Sequence, residues 1–245
     1  MNTTIKTMSE HVSVRAYKDT PLTAEQREGL LIAAQSGATS HYVQAFSMIE
    51  ITDENLRAQL GEISNCPSYV KGCASFYVFV ADFFRHSQLL ENAGESFDGI
   101  VNMEALSVAI VDATISAQNV AVAAESMDLG ICYIGGIRND VNRVAELLNL
   151  PRFTYPLFGL CIGVPEKRNE RKPRLPLKNQ VFANGYQTEQ AVDLSEFEET
   201  VETYYANRGS NQKQSTWSQQ MIDYLKKENR PDIAEFLRKQ GFTLD

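Results

Sequence analysis

The chain has 245 residues, of which 43% are hydrophobic and 22% are charged, and it carries a formal net charge of −8 with a pI near 5.0. A chain of this length can bury one sizeable core, which predicts a single domain over residues 1–245. The acidic balance disfavours nucleic-acid and membrane-surface partners, because binding to polyanions requires an excess of basic charge. We therefore expect neither kind of partner.

The first 20 residues lack the apolar core of a signal peptide, and no apolar run approaches the about 20 residues of a membrane span. We therefore expect a cytoplasmic protein.

The four cysteines form no C-x-x-C pair, and three of them lie in apolar or strand-like surroundings, which is typical of reduced, packed thiols.

The first predicted element is a helix that begins after Thr23, because T-x-x-Q is a capping-box pattern and an apolar run follows it. Gly37 ends this helix. Residues 46–52 alternate between apolar and polar side chains, and residues 76–82 are aromatic and β-branched, so both segments predict strands. Between them, Asp53 is expected to cap a short helix.

Residues 103–129 are rich in alanine, contain no proline or glycine and carry apolar residues all round, which predicts a long helix buried on most sides and closed by Gly130. A strand over 131–135 and a helix over 140–149 follow. Residues 157–164 form a continuous apolar run, which predicts a central strand.

The last third is different in character. A basic, proline-containing stretch leads into helices around 195–206, 216–228 and 231–240, with Pro231 in a first turn and Gly241 as a cap. We predict an α+β domain with a four- or five-stranded sheet and a long central helix, in which 195–245 is a helical C-terminal part.

Several common enzyme signatures are missing from the sequence, including G-x-G-x-x-G, G-x-x-x-x-G-K-[ST], H-E-x-x-H and G-x-S-x-G. The three histidines are far apart and have no cysteine or carboxylate at ligand spacing, so we expect no metal site. The Rossmann, P-loop and serine-hydrolase interpretations lose their main support.

Positive charge is concentrated in residues 165–178, where six basic residues stand against two acidic ones, a local balance of +4. A solvated basic loop is one interpretation. In the other, Lys172 and Arg174 flank Pro173, whose ring restricts the backbone so that both side chains are presented to a phosphate.

Three further features each have two interpretations. His11, Ser13 and Arg15 could share one side of an extended stretch, or they could form a helix C-terminus whose dipole their charges complement. Gly135 and Gly136 could let the backbone approach a planar ligand, or form a plain turn before a helix capped by Asn139 or Asp140.

The polar stretch 204–217 is either a connecting loop or an anion-binding loop in which Arg208 and Lys213 close on a phosphate monoester. Arg230 stands just before a helix start, where the helix dipole disfavours a cation, and this invites a functional explanation.

These residues occur in motifs that resemble the oxygen-insensitive nitroreductases and NADPH:flavin oxidoreductases. The resemblance runs over nearly the whole chain and implies a nitroreductase-like α+β fold, with a mostly antiparallel central sheet, flanking helices and a long buried central helix. It also implies an intertwined homodimer with FMN at the subunit interface. The motifs are HVSVR (11–15), YVQAFSMI (42–49), FVADFFRH (79–86), AAESMDLGICYIGGIRND (123–140), LFGLCIGVPE (157–166), KPRLP (172–176), YYANRGSN (204–211), ENRP (228–231) and LRKQG (237–241).

The resemblance also implies the site residues. The FMN-binding positions are His11, Ser13, Arg15, Thr39, Ser40, Ile134, Gly135, Gly136, Lys172 and Arg174. His41 and Arg138 match positions that line the substrate side, Arg208 and Lys213 match the loop that binds the NADPH 2′-phosphate, and Arg230 matches a cation near the acceptor.

Three departures from the family pattern occur. Val12 replaces a frequent arginine, His41 stands where serine is usual, and residues 65–67 replace a segment that commonly carries a glutamine next to the flavin.

The implied activity is an FMN-dependent NADPH oxidoreductase that reduces nitroaromatics, quinones or free flavins by a two-step, ping-pong hydride transfer through bound FMN. This chemistry requires no catalytic side chain of the protein. One alternative is a flavoprotein disulfide or peroxide reductase with Cys66 as the nucleophile, and another is a non-catalytic FMN-binding module.

Overall fold

The structure is a computed structural model that describes residues 1–209 and 212–245. Ser210 and Asn211, which belong to the 204–211 motif, lie outside the described residues. The α-helices and strands in chain order are α1 (Thr3–Ser9), α2 (Ala24–Gln35), β1 (Phe46–Glu50), α3 (Glu54–Ile63), α4 (Pro67–Gly72), β2 (Ser75–Asp82), α5 (Phe84–Ala93), α6 (Asp98–Val101), α7 (Met103–Ser126), β3 (Gly130–Ile134), α8 (Val141–Leu147), β4 (Thr154–Gly163), α9 (Thr188–Val192), α10 (Ser195–Ala206), α11 (Trp217–Leu225) and α12 (Ile233–Lys239).

The chain divides into two compact units. The first comprises Met1–Asn169 together with Arg230–Asp245, and the second comprises Glu170–Asn229. The predicted helical part 195–245 is therefore shared, because α10 and α11 belong to the second unit while α12 belongs to the first. A single domain over 1–245 stays a prediction.

The sheet lies in the first unit and has the order β1-β2-β4-β3, with every neighbouring pair antiparallel. This confirms the predicted α+β class and the central position of the 157–164 strand. β2 is buried along its whole length, as a central strand covered on both faces should be.

Helix α7 packs against the sheet and supplies much of the apolar core. By length and composition alone, α7 is also long and apolar enough to cross a membrane. The buried side chains of α7 include Leu106, Ala113 and Val120. Met103 and Val111 of the same helix are 42% and 52% exposed. Helix α7 therefore has the length and the central position that were predicted, and neighbours within the first unit cover one of its faces.

Gly130 has a different role from the predicted helix end. α7 ends at Ser126, and Gly130 is the first residue of β3. A Cβ at Gly130 would lie 2.6 Å from the Val14 side chain, so close packing of two backbones accounts for the glycine.

The helix caps follow the sequence closely. Thr23 and Gln26 form the predicted capping box of α2, Asp53 caps α3, and Asp140 rather than Asn139 caps α8. Pro231 was wrongly predicted within a first turn, because α12 begins only at Ile233, after its N-cap residue Asp232.

The second unit is held together by α10 and α11. Phe197 and Val201 of α10 are buried, and the Phe197 ring lies 5.8 Å from the Trp217 ring of α11. The Glu198 carboxylate accepts hydrogen bonds from the backbone N–H groups of Trp217 (2.7 Å) and Ser218 (3.0 Å), and so satisfies donors at the start of α11.

Candidate cofactor-binding site

The N-terminal segment 11–17 runs beside β3, and its burial alternates from residue 11 to residue 15. Val12, Val14 and Tyr17 are buried, whereas His11, Ser13 and Arg15 point away from the core. The Val14 N–H donates to the Ile131 carbonyl at 2.8 Å, and Ser13 forms a β-bridge with Ile131. The extended interpretation of this segment is therefore confirmed.

Arg15 is exposed, and its guanidinium lies 5.9 Å from the centre of the Tyr69 ring. Within residues 1–209 and 212–245, no carboxylate forms an ion pair with it. Burial raises the pKa of the nearby Cys66 thiol, and the Arg15 charge opposes this only in part. The Cys66 thiol is consequently a neutral group and not an activated nucleophile.

His11 is held by a carboxylate. Its Nδ1 lies 2.7 Å from Glu125 Oε1, and the Glu125 side chain is 7% exposed. Glu125 comes from the C-terminal turn of α7, so this contact joins the N-terminal segment to the central helix.

The two glycines after β3 differ in their surroundings. A Cβ at Gly136 would collide with the backbone of Ser64, whose Cα would be 2.8 Å away. A Cβ at Gly135 would have only Arg138 Nη2 near it, at 3.7 Å. Packing within the protein therefore explains Gly136, while Gly135 borders open space that a flat ligand could occupy.

The loop from Thr39 to Gln44 is anchored by a buried aspartate on α7. Asp112 is fully buried and accepts hydrogen bonds from the N–H groups of Ser40 (3.1 Å) and Ala45 (3.0 Å). Between these anchors, His41, Tyr42 and Gln44 adopt positive φ angles of 47°, 60° and 54°. Asp112 thus holds a backbone that non-glycine residues rarely adopt.

Arg138 and Arg230, which are far apart in sequence, converge near Asn139. Arg138 donates to the Leu157 carbonyl, and the Arg230 guanidinium donates to Asn139 Oδ1 at 3.0 and 3.1 Å. Both arginine charges act on Tyr155, whose pKa is nevertheless raised because burial dominates. The hydrogen bonds to Asn139 give Arg230 a structural role that the sequence did not reveal.

The second unit contains an open pocket of about 370 Å³. Lys172 and Arg174, from the basic stretch 165–178, line it, and both are exposed. Aromatic side chains of α10 and α11 form the opposite wall, and those that line the pocket are Phe197, Tyr204, Tyr205 and Trp217.

Comparison with known proteins identifies the family. The nitroreductase family model matches residues 8–164, and the model of the nitroreductase family C-terminal domain matches residues 172–245. The chain belongs to the nitroreductase family. An oxygen-insensitive NADPH nitroreductase of Salmonella typhimurium is 42% identical over 243 residues, which cover 99% of each chain.

An FMN reductase (NADPH) of Bacillus subtilis is 38% identical to this chain, and the match covers 99% of each chain. A Cr(VI) reductase of a Pseudomonas species is 45% identical, and the match covers 96% of this chain and 97% of the relative. Among solved structures, the Vibrio harveyi NADPH:FMN oxidoreductase complexed with NAD⁺ has a TM-score of 0.88 at 36% identity, covering 98% of this chain and 99% of that one. A B. subtilis nitroreductase has a TM-score of 0.93 at 38% identity, covering 98% of both chains. The nitroreductase-like fold is therefore established.

The predicted site residues of this nitroreductase-family chain fall into the two units. Lys172, Arg174, Arg208 and Lys213 belong to the second unit, and the others belong to the first. Within the first unit, Ser13 forms a β-bridge with Ile131 of β3, which ends at Ile134 just before Gly135, so these positions lie along one edge of the sheet.

Sequence reasoning missed three supporting residues: Asp112, Tyr69 and Tyr205. Asp112 was hidden within an apolar helix, although a lone aspartate in such a helix is itself a signal because buried carboxylates require partners. The contacts of Tyr69 and Tyr205 with cations have no signature in sequence spacing.

Proposed function

We propose that this chain is a cytoplasmic, FMN-dependent NADPH oxidoreductase that reduces nitroaromatics, quinones and free flavins. One observation carries the proposal: Arg15, Lys172, Arg174, Arg208 and Lys213 form no ion pair with any carboxylate of the described residues, although the chain as a whole has a charge of −8. Cations that stay unpaired in an acidic protein are suited to anionic ligands.

The residues fit FMN. The family resemblance assigns Arg15 of the first unit and Lys172 and Arg174 of the second to the FMN phosphate, which each cation would bind by charge-assisted hydrogen bonds. The open space beside Gly135 would accept the flat ring. Ser13 and His11 present polar atoms on the same side of their segment as Arg15, where they would contact the ribityl chain and the phosphate.

Bound FMN would supply the hydride chemistry, with NADPH as the hydride donor in one half-reaction and the acceptor receiving two electrons in the other. The protein binds and orients the cofactor and the substrates, and it supplies positive charge to their phosphate groups. Burial raises the pKa of the Cys66 and Cys132 thiols despite the Arg15 charge, so both stay protonated at neutral pH. This argues against the alternative of a disulfide or peroxide reductase with Cys66 as its nucleophile.

The reductant is NADPH, and Arg208 and Lys213 bind its 2′-phosphate. Arg138, Arg230 and His41 line the region that the acceptor enters. The names of the relatives, which include an FMN reductase (NADPH), an NADPH nitroreductase and a Cr(VI) reductase, support a site that accepts several oxidants.

The functional molecule is a homodimer. Large apolar side chains are exposed on α2, on the loop before β1 and on α7, where Leu31, Ile32, Tyr42 and Val111 are 48%, 55%, 82% and 52% exposed. An apolar surface of this kind is costly in water and is suited to burial against a second copy of the chain.

The test is anaerobic mixing of the purified protein with NADPH while the visible flavin absorbance is followed. We expect a yellow protein that NADPH bleaches and that a quinone or nitroaromatic then restores to yellow. A yellow protein that NADPH leaves unbleached would favour the non-catalytic alternative, and a protein that retains no flavin would contradict the proposal.

A further inference from the structure

The imidazole of His11 has one ring nitrogen engaged and the other available. Nδ1 lies 2.7 Å from Glu125 Oε1, and the His11 backbone N–H donates to the Met8 carbonyl at 3.4 Å. The His11 side chain is 30% exposed, and its Nε2 atom forms no hydrogen bond with any residue in 1–209 and 212–245. Nε2 is therefore the atom of this ring that a ligand can reach.

Glu125 is a buried carboxylate that faces His11. It lies in the last turn of α7, and its side chain is only 7% exposed. Among the ion pairs of the described residues, Glu125 takes part in one, with His11. A buried negative charge is costly unless a positive charge compensates it, and a protonated His11 would do so.

Tyr133 of β3 also interacts with Glu125 but brings no positive charge. Burial, and to a smaller extent the charge of Glu125, raises the pKa of the Tyr133 phenol to about 12. Its hydroxyl donates to Gln118 Oε1 at 3.3 Å. Tyr133 is therefore neutral at pH 7, so the charge that compensates Glu125 has to come from His11.

The second nitrogen of His11 is suited to a phosphate. The family resemblance assigns His11 to FMN, and His11 and Arg15 point away from the core on the same side of their segment. Carboxylate and phosphate oxygens accept hydrogen bonds, so an imidazole between a carboxylate and a phosphate carries a proton on each nitrogen. Both anions favour this imidazolium form.

We propose that Glu125 is a positioning residue of the FMN site, which holds His11 as an imidazolium whose Nε2–H donates to the FMN phosphate. The inference rests on the proposed function. The contact with Glu125 restricts the His11 side chain before the cofactor binds, which lowers the entropic cost of binding. It also determines which ring nitrogen remains for the ligand.

The first test compares FMN with riboflavin, which lacks the phosphate. Glu125→Gln keeps the shape of the side chain but removes its charge. We expect this variant to bind FMN roughly tenfold more weakly than the wild type and to bind riboflavin with unchanged affinity. A purely structural role of Glu125 would weaken the binding of both flavins.

A double-mutant cycle tests whether Glu125 acts through His11. In a protein that already carries His11→Ala, Glu125→Gln should have no further effect on FMN affinity. The matched control is Glu146→Gln, which makes the same change of charge in an exposed ion pair with Arg143 and should bind FMN as the wild type does.

The protonation of His11 can be measured directly, because the chain has only three histidines. In the FMN-loaded protein labelled with ¹⁵N-histidine, we expect the NMR spectrum to show a proton on both ring nitrogens of His11. His86 is the internal reference. Its Nε2 donates to the Val43 carbonyl at 2.8 Å and its buried Nδ1 has no partner among the described residues, so it should carry a proton on Nε2 alone.

The outcomes separate the inference from the proposed function. Suppose that NADPH bleaches the flavin of the wild type. The inference is then wrong, and the proposed function stands, if Glu125→Gln binds FMN as tightly as the wild type, if it weakens FMN and riboflavin equally, or if His11 carries a single proton in the FMN-loaded protein. If the wild type retains no FMN, the proposed function fails, and the inference fails with it.

Discussion

The two units of this protein use their arginines in different ways. In the first unit, Arg57 donates to the carbonyls of Ile51 and Cys73, and Arg138 donates to that of Leu157. In the second unit, Arg208 lies over tyrosine rings and Arg174 lines an open pocket. A guanidinium that donates to backbone carbonyls supports the fold, whereas one that has no carboxylate partner among the described residues is available to a ligand. Arg15 is an arginine of the first unit that belongs to this second kind.

The largest expected effect is at Asp112, where a buried carboxyl group of the first unit holds the loop before β1. Asp112→Ala leaves the N–H groups of Ser40 and Ala45 without their acceptor, and each such buried group costs about 1–3 kcal/mol. We expect the free energy of unfolding, measured with urea, to fall by about 2–4 kcal/mol.

The amide variant Asp112→Asn keeps one acceptor oxygen and should be less destabilised than Asp112→Ala. Equal stabilities of the wild-type protein and Asp112→Ala would mean that the loop from Thr39 to Gln44 does not depend on this carboxyl group. Buried polar contacts would then not distinguish the first unit from the second.

The next effect separates two neighbouring glycines. In Gly136→Ala the new methyl group meets the backbone of Ser64, and we expect a loss of about 1–3 kcal/mol in the free energy of unfolding. Gly135→Ala should leave stability within about 0.5 kcal/mol, because its methyl group faces open space, but it should weaken FMN binding. A destabilised Gly135→Ala protein with unchanged FMN affinity would contradict the assignment of that space to the flavin.

The smallest effect concerns Glu198, a carboxylate of the second unit that does have partners. Partial burial alone would raise the pKa of Glu198. The hydrogen bonds from Ser218 and from the Trp217 N–H have the larger combined effect and lower this pKa below its ordinary value of 4.5. Because the folded-state pKa is the lower one, the stabilisation is complete above pH 4.5 and is lost as the pH falls through the folded-state value.

Glu198→Gln should therefore destabilise the second unit by about 1 kcal/mol at pH 7, as loss of a helix cap does, with Trp217 fluorescence as the reporter. The difference from the wild type should shrink as the pH falls below 4.5. A difference that is independent of pH would show that the charge of Glu198 has no part in the cap.

Much of the fold could be predicted from the sequence. The capping box at Thr23 and the cap at Asp53 are local patterns whose hydrogen bonds span three residues, so they can be read from the chain alone. The α+β class and the central strand follow from apolar runs, because burial on both faces requires them. The end of α7 was missed by three residues, since Gly130 serves close packing with Val14.

Less of the candidate cofactor-binding site could be predicted from the sequence. The spacing of His11, Ser13 and Arg15 predicted their common side, because strand periodicity is local. The contact of Arg230 with Asn139 and that of Asp112 with the Ser40 loop join residues about 70 to 90 positions apart. Such contacts depend on the packing of whole elements, and no spacing rule encodes them.

The central claim is that the unpaired cations bind phosphate, and equilibrium binding of FMN to the apoprotein tests it most directly. We compare the wild type with Arg15→Ala and Arg174→Ala, and use Lys178→Ala as the control, because this cation of the same basic segment already pairs with Asp193 and Glu196. We predict at least a tenfold weaker FMN affinity for each arginine variant and an unchanged affinity for the control. Equal affinities in all four proteins would contradict the account.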